Sequence, residues 1–580
     1  MNGSGSSILT TAAVLLAAVV TIALGIYGGR RSRTTSDFLV ASRSVGSRAN
    51  ATAITGEYLS AASFLGVAGY VAKYGADALW YPVGFTAGYL GLLMFVAAPL
   101  RRSGAYTVPD FAEFRLSSPR ARTIAMLVVV GICVLYLIPQ FQGAGQALHI
   151  LLDIPAWVGA VGVGLIVIMN VVSGGMRSIT FVQAVQYWLK LTAIAIPTLV
   201  LLAVFAGDRS ELGASAPPRV QTATTVDITV DVEVNVADAT GVIVDGHVDG
   251  TEIRGQQLPP GPHTLGAGTT LTLAAGAATP VVTGAPVTGA DWLSSGHGLG
   301  GGHPLYQVLS LIIATFLGTM GLPHVLVRFY TNPDGRSAQR TALAVIALLS
   351  LFYLFPLLLG IFARLYVPEL LITGNADAAV LLLPTAAVGG IGGQLLAALV
   401  AAGAIAAFLA TSSGLLVSVA GALSTDVLRG RVRDFRLAAI IGGLVPIGLA
   451  LAAASLELSR TVGLVFAVSA STLCPLLVLG IWWRRLTAPG AITGLLVGGL
   501  SSGAATSLAI AGVVPDDALG GWPAIIVGYP AAVTVPLGFA TMIAVSLATQ
   551  ATLPPGLSRT FARMHVPERL GMGIERLPEG

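Results

Sequence analysis

The chain has 580 residues, 54% of them hydrophobic and 10% charged, with a mean hydropathy of +0.82 and a formal net charge of +4. Soluble domains carry roughly 25% charged residues, so a water-soluble protein of this size is excluded and the surplus apolar surface has to face lipid. The apolar runs are continuous rather than alternating, which also excludes an outer-membrane barrel; what remains is an all-α polytopic membrane protein.

The first apolar run, from about Ser7 to Tyr27, is too long for the apolar region of a signal peptide, and no basic residue precedes it. Arg30, Arg31 and Arg33 follow it, so it reads as a retained span with its N-terminus outside. Further spans are predicted near 50–72, 79–99, 122–141, 155–173, 184–206, 304–326, 341–366, 387–422, 437–456, 461–483, 490–513 and 522–548, which makes about 13 in all. Arginines collect in alternate connections: Arg43 and Arg48, then Arg101, Arg102, Arg115, Arg120 and Arg122, then Arg177, then Arg328, Arg336 and Arg340, then Arg429, Arg431, Arg433 and Arg436, then Arg484 and Arg485, and finally the tail. The positive-inside rule makes this side cytoplasmic and puts the C-terminus there. The chain thus divides into first helices at 1–206, an extracellular insertion at 207–303, further helices at 304–548 and a cytoplasmic tail at 549–580.

The insertion is acidic, with Asp227, Asp231, Glu233, Asp238, Asp245, Asp249 and Glu252 against Arg209, Arg219 and Arg254. Its stretch Thr225-Val-Asp-Ile-Thr-Val-Asp-Val-Glu-Val-Asn-Val-Ala237 alternates with period two and predicts a half-buried strand. Two readings stand: an insertion with no transport role, or a cap that attracts cations or a partner.

Two stretches carry polar residues where a membrane helix disfavours them. Thr52, Thr55, Glu57, Ser60 and Ser63 share the second span with Gly56, Gly66 and Gly69. Small residues allow close helix packing, and they also allow a helix break that frees backbone carbonyls for a cation. A carboxylate at Glu57 has to be paired, hydrated or protonated, which leaves a proton carrier, a cation-site acid or the partner of a basic group. In the ninth predicted span, Ala407, Ala410 and Thr411 share one helix face, followed by Ser412 and Ser413. Hydroxyl and carbonyl oxygens suit a hard cation such as Na⁺. The seventh span is interrupted by Gly318, Gly321 and Pro323, with His324 beyond, as an anchor or a titrating group. Two interrupted spans five apart are what an inverted repeat of five helices predicts. Cys133 and Cys474 both sit in apolar runs and give neither a disulfide framework nor a metal spacing.

With these residues in view, the sequence resembles the sodium/solute symporter family, and within it the cation/acetate (monocarboxylate) branch. The resemblance runs from Asp37-Phe38 through Gly56-Glu-Tyr-Leu-Ser-Ala-Ala-Ser-Phe-Leu-Gly66, Tyr136-Leu-Ile-Pro-Gln140 with Gly143-Ala-Gly145, and Gly174-Gly-Met176 with Gln183. It continues through Gly321-Leu-Pro-His-Val-Leu-Val-Arg-Phe329 to Cys474-Pro475 with Trp482, Arg485 and Gly490. The resemblance implies the leucine-transporter-type fold, two inverted five-helix repeats in spans two to six and seven to eleven. It implies a Na⁺ site on the carbonyls of Gly56, Leu59 and Ala407 and on side-chain oxygens at 410 and 411. Thr411 supplies one of these; Ala410 supplies none, which leaves Ser412, water, or proton coupling through Glu57. Gln183 stands where the sugar and proline branches carry an acid. Ser63, Phe64, Thr315 and Thr319 are the expected substrate-lining residues, and Lys190 is expected to snorkel toward the inner face.

The function implied is secondary active import of acetate or a similar short-chain monocarboxylate with Na⁺ or H⁺ across the cell membrane. The expected partners are that solute, the ion and the bilayer, with no cofactor and no nucleic acid. The alternatives are another small organic solute, or a sensor with the same fold; a sensor is expected to carry a soluble domain, and 32 residues follow residue 548. An enzyme is not expected, since no phosphate-binding Gly-x4-Gly-Lys-Ser/Thr loop or metal cluster occurs.

Overall fold

The computed structural model describes residues 8–29, 41–208, 215–228, 231–299, 302–372, 376–428, 431–453, 458–511, 513 and 521–567. Asp37-Phe38, the arginines at 30, 31, 33, 209 and 429, and the end of the tail lie outside the described residues.

Among the described residues, eleven helical runs are long and apolar enough to cross a membrane. Thirteen segments are predicted, and the difference has a local cause. The run Ala62–Ser103 is bent by Gly75 at φ +60°, and Ala156–Ala206 is two helices joined at Gly175, at φ +57° and ψ −160°. Each run includes residues of two predicted segments, because a glycine at positive φ bends the chain while helical bonding continues on either side. Large apolar side chains point outward along these helices, Leu500 at 71% exposure and Ile391 at 72% for example, as a lipid-facing surface requires.

The helices that position the site are α1 (Ile8–Gly29), α2 (Ser47–Tyr58), α3 (Val67–Tyr74), α4 (Trp80–Gly91), α5 (Pro119–Leu152) and α6 (Ala156–Asp208). After the insertion come α7 (Pro304–Gly321), α8 (Pro323–Phe329), α9 (Gly335–Tyr366), α10 (Gly390–Asp426), α11 (Val432–Ala452) and α12 (Leu458–Ser471). The bundle is completed by α13 (Leu473–Trp482), α14 (Ala488–Ile510) and α15 (Ala531–Ala548). The long helix α10 is buried from Val400 to Ala422 without interruption and packs on α6 and α5. At one end of the bundle Arg122 ties α5 to α10, bonding Asp426 at 2.6 Å, with Asp110 and Glu113 alongside.

Among the described residues the insertion folds into seven strands, all antiparallel: β1 (Thr224–Asp227), β2 (Val232–Val236), β3 (Val242–Val248), β4 (Thr251–Gln257), β5 (Gly261–Leu265), β6 (Thr270–Leu273) and β7 (Val281–Val282). The order is β1-β6-β3-β5-β2-β7, with β4 on β3. The single strand predicted over 225–237 is therefore two, β1 and β2, which are not neighbours. The alternation itself holds in β2, where Val232, Val234 and Val236 are buried between exposed Glu233 and Asn235. The acidic side chains close turns: Asp231 accepts from the Ala267 N–H, Asp245 from Gly255 and Asp249 from Thr264. His263 and that Thr264 N–H hold the Asp249 carboxyl below the usual carboxylate range.

The returning chain is pinned to the bundle by Trp292. Its indole N–H donates to the carbonyls of Val71 and Ala72 at the end of α3, at 2.7 and 3.1 Å, and the Arg364 guanidinium lies over its ring. Gly75 makes this possible, since a Cβ there would fall 1.8 Å from the Trp292 carbonyl oxygen. Asp77 fixes the next turn by accepting from the Gly296 and Gly298 N–H groups.

Candidate functional site

The second span breaks between α2 and α3. Leu59 leaves the helical region at ψ 82°, and the Ser60 N–H turns to the Tyr58 carbonyl at 2.8 Å. In an unbroken helix that N–H would serve Gly56, so the Gly56 carbonyl loses its helical donor. The group that takes it is Lys190 of α6, whose Nζ donates to the carbonyls of Gly56 and of Leu59, the latter at 2.6 Å. Lys190 is fully buried, so the expected snorkelling does not occur. The cause is the closeness of α2 and α6: a Cβ on Gly56 would lie 2.2 Å from the Gln183 carbonyl. The lysine stem therefore enters the break instead of running along the helix to its end.

α10 meets the same break. The Thr411 hydroxyl donates to the Glu57 carbonyl at 2.6 Å, so Gly56, Leu59 and Thr411 do come together. Ala410 presents its carbonyl to the Gln183 side-chain amide at 2.8 Å. Ala407, one turn earlier on α10, is fully buried, and the Ser412 hydroxyl is buried without a hydrogen-bond partner.

Glu57 is paired with Arg328 of α8 at 2.6 Å, both side chains being 1% exposed. The Arg328 guanidinium also donates to the Thr180 hydroxyl at 2.6 Å and to the Gln183 side-chain oxygen. Arg328 is grouped by sequence with the loop arginines, and the structure corrects this. The seventh span breaks at Leu322, with ψ 116°, and Pro323 starts a new short helix that turns Arg328 inward. Asn50 holds the far side by donating to the Arg328 carbonyl at 2.9 Å.

The expected substrate-lining residues are spread over one aromatic cluster, and their polar atoms are engaged. Ser63 lies 2.9 Å from the Tyr353 hydroxyl, and Thr319 lies 2.8 Å from the Tyr58 hydroxyl. Thr315 bonds back to the Leu311 carbonyl, and Phe64 packs on Phe352. Unengaged buried groups occur beside them. The Tyr89 hydroxyl, both side-chain atoms of Gln140 and both ring nitrogens of His324 have no hydrogen-bond partner. Tyr89 packs edge-on to Tyr58, and His324 packs edge-on to Tyr136, with Gln140 one turn along α5 from Tyr136. Tyr136 itself reaches Ser60 at the break. Sequence reasoning notes Gln140 and His324 within motifs but gives Tyr89 no role, and a lone tyrosine in an apolar run carries no signal for one.

The model of the sodium:solute symporter family matches residues 38–243 and 286–498, more than half of the chain, and leaves out 244–285 within the sheet. An uncharacterized symporter of Bacillus subtilis is 30% identical over 98% of this chain and 99% of its own. A protein of Corynebacterium glutamicum named as a monocarboxylic acid transporter is 30% identical over 99% of this chain and 97% of its own. Among solved structures, a Na⁺-coupled sialic acid symporter aligns with TM-score 0.61 at 15% identity, covering 95% of this chain and 99% of that one. A nucleobase-cation-symport transporter in a closed conformation aligns with TM-score 0.50 at 13% identity, over 91% of this chain and 98% of that one. These likenesses show the fold, which is of the leucine-transporter type. With two broken spans set against each other in a lipid-facing bundle, and with the family match spanning both, the chain belongs to the sodium:solute symporter family.

Proposed function

We propose that the protein is a secondary active symporter that imports acetate or a similar short-chain monocarboxylate together with a cation, Na⁺ or H⁺. The observation that carries this reading is the charge balance where the two broken spans meet. Glu57 and Arg328 cancel each other there, and the buried Lys190 ammonium adds one positive charge. An uncompensated buried charge is costly, and a bound monoanion offsets it. Tyr89, Gln140 and His324 supply hydrogen-bond donors not yet spent inside the protein. Tyr58, Phe85, Tyr89, Tyr136 and Phe466 crowd the same region with ring centroids 4.9–6.2 Å apart, which suits a solute of few atoms. The printed name of the Corynebacterium relative agrees with this solute class.

In this reading the sheet lies outside and the C-terminus inside, as the arginine distribution requires. The Glu57–Arg328 pair closes the inner end, and solute release there requires the pair to part. Solute and cation binding shift the carrier between closed and open forms by their differential affinity for them. Import of one cation with one monoanion is electroneutral, so the chemical gradient alone drives it.

The test is uptake of labelled acetate, propionate and pyruvate into proteoliposomes. Monocarboxylates are expected to compete with one another, and neutral sugars and zwitterionic amino acids are not. Saturable uptake of a neutral solute with no competition from acetate refutes the reading.

A further inference from the structure

The residues that the family places around a sodium ion do not fit one in this chain. A hard cation is held by a shell of several oxygens. Ala410 brings no side-chain oxygen, and its carbonyl is bonded to Gln183. The Thr411 hydroxyl proton is directed at the Glu57 carbonyl. The two carbonyls that the break in the second span sets free, those of Gly56 and Leu59, already accept from Lys190.

We propose that the Lys190 ammonium permanently takes the cation position at this break, so that the carrier neither binds nor requires sodium there. An ammonium has donors only and no acceptor, which matches a cage of carbonyl oxygens. It is a compact charge on a flexible stem, and the stem reaches the cage because α6 runs against Gly56. Lys190 and Gln183 both belong to α6, so one helix fills the cage and also occupies the Ala410 carbonyl of α10. A tethered cation keeps the positive charge beside the solute but cannot cross the membrane, so it replaces the local charge of a sodium ion without drawing on its gradient. A free Na⁺ entering the cage would have to displace a like charge. This inference rests on the proposed carrier function, and it leaves H⁺ as the coupling ion of that import.

The test compares the full-length wild type with Lys190→Ala, in sodium chloride and in choline chloride. Two quantities are read: initial acetate uptake under an inward H⁺ gradient, and thermal melting of the purified protein. For the wild type, neither is expected to respond to sodium. For Lys190→Ala, which empties the cage, sodium is expected to raise the melting temperature by at least about 2 °C. Wild-type melting that rises with sodium, or wild-type uptake that falls at least about fivefold in choline, overturns the proposal. So does a folded Lys190→Ala protein that ignores sodium. If Lys190→Ala does not fold, the wild-type comparison decides alone. Absence of monocarboxylate uptake in both media refutes the solute reading, while the melting comparison still judges the lysine.

Discussion

Glu57 and Arg328 lie 271 residues apart in sequence and 2.6 Å apart in the bundle, joining the first half of one broken span to the second half of the other. Removing one member of a buried pair leaves an uncompensated charge, typically at a cost of about 3–5 kcal/mol, whereas replacing both is often nearly neutral. Glu57→Gln is therefore expected to melt well below the wild type and to lose uptake. The double variant Glu57→Gln/Arg328→Met is expected to recover much of the stability. Thermal melting of both in detergent checks this; equal melting of Glu57→Gln and wild type would show the pair to be dispensable.

Glycines beside this pair and glycines remote from it are expected to respond in opposite directions. A Cβ on Gly56 would stand 2.2 Å from backbone oxygen of Gln183, and one on Gly414 would stand 1.8 Å from Glu57 Oε1. Overpacking commonly costs about 1–3 kcal/mol. Gly56→Ala and Gly414→Ala should both lower the melting temperature and transport. Gly131→Ala and Gly503→Ala, in helices where an added Cβ meets nothing within 4 Å, should gain about 0.5–1 kcal/mol from helix propensity.

Tyr89 and Tyr58 allow transport to be separated from stability. The Tyr89 hydroxyl is buried without a partner, so Tyr89→Phe removes an unsatisfied group and is expected to leave stability unchanged or raised. If the hydroxyl meets the solute, KM for acetate should rise about tenfold, the worth of ~1.4 kcal/mol. Tyr58→Phe breaks an existing contact with Thr319 and is expected to cost about 1 kcal/mol of stability. Uptake kinetics with Tyr89→Phe unaltered in KM would remove Tyr89 from the solute site.

The sheet can be removed at its neck. Thr279 N–H donates to the Pro218 carbonyl at 2.8 Å, and Val220 N–H donates to Ala277, so the strand ends enter and leave side by side. Replacing 221–275 with a short glycine turn shortens a closed loop, which changes its closure entropy only slightly. The shortened protein is expected to insert and to transport within about twofold of the wild type. Loss of folded protein in the membrane would show that the sheet is needed for assembly.

The two breaks and the hydroxyl face of α10 were legible because glycine, proline and hydroxyl residues in an apolar run are costly unless used. Thr411 and Gly56 were assigned to one site by the resemblance to the family, and the two stretches meet through the Glu57 carbonyl. Lys190 and Arg328 were not legible. A long basic side chain runs either along its helix or across to a neighbour, and the choice depends on how closely the next helix approaches. For Lys190 the approach is set by Gly56, 134 residues away in sequence; for Arg328 it is set by the nearby turn at Leu322, which aims the side chain at Glu57, 271 residues away. The strand order of the insertion was equally hidden, since alternation marks a strand's buried face but not its neighbour.

The Trp292 indole is bonded to the last turns of α3, the second half of the broken span. In the proposed transport cycle a tilt of that half pulls on the segment that carries Trp292 and, through it, on the sheet that precedes it, so the sheet becomes a lever arm. An antibody fragment clamping the sheet against the neighbouring loops would then arrest the cycle, and a dye on its rim would report each stroke.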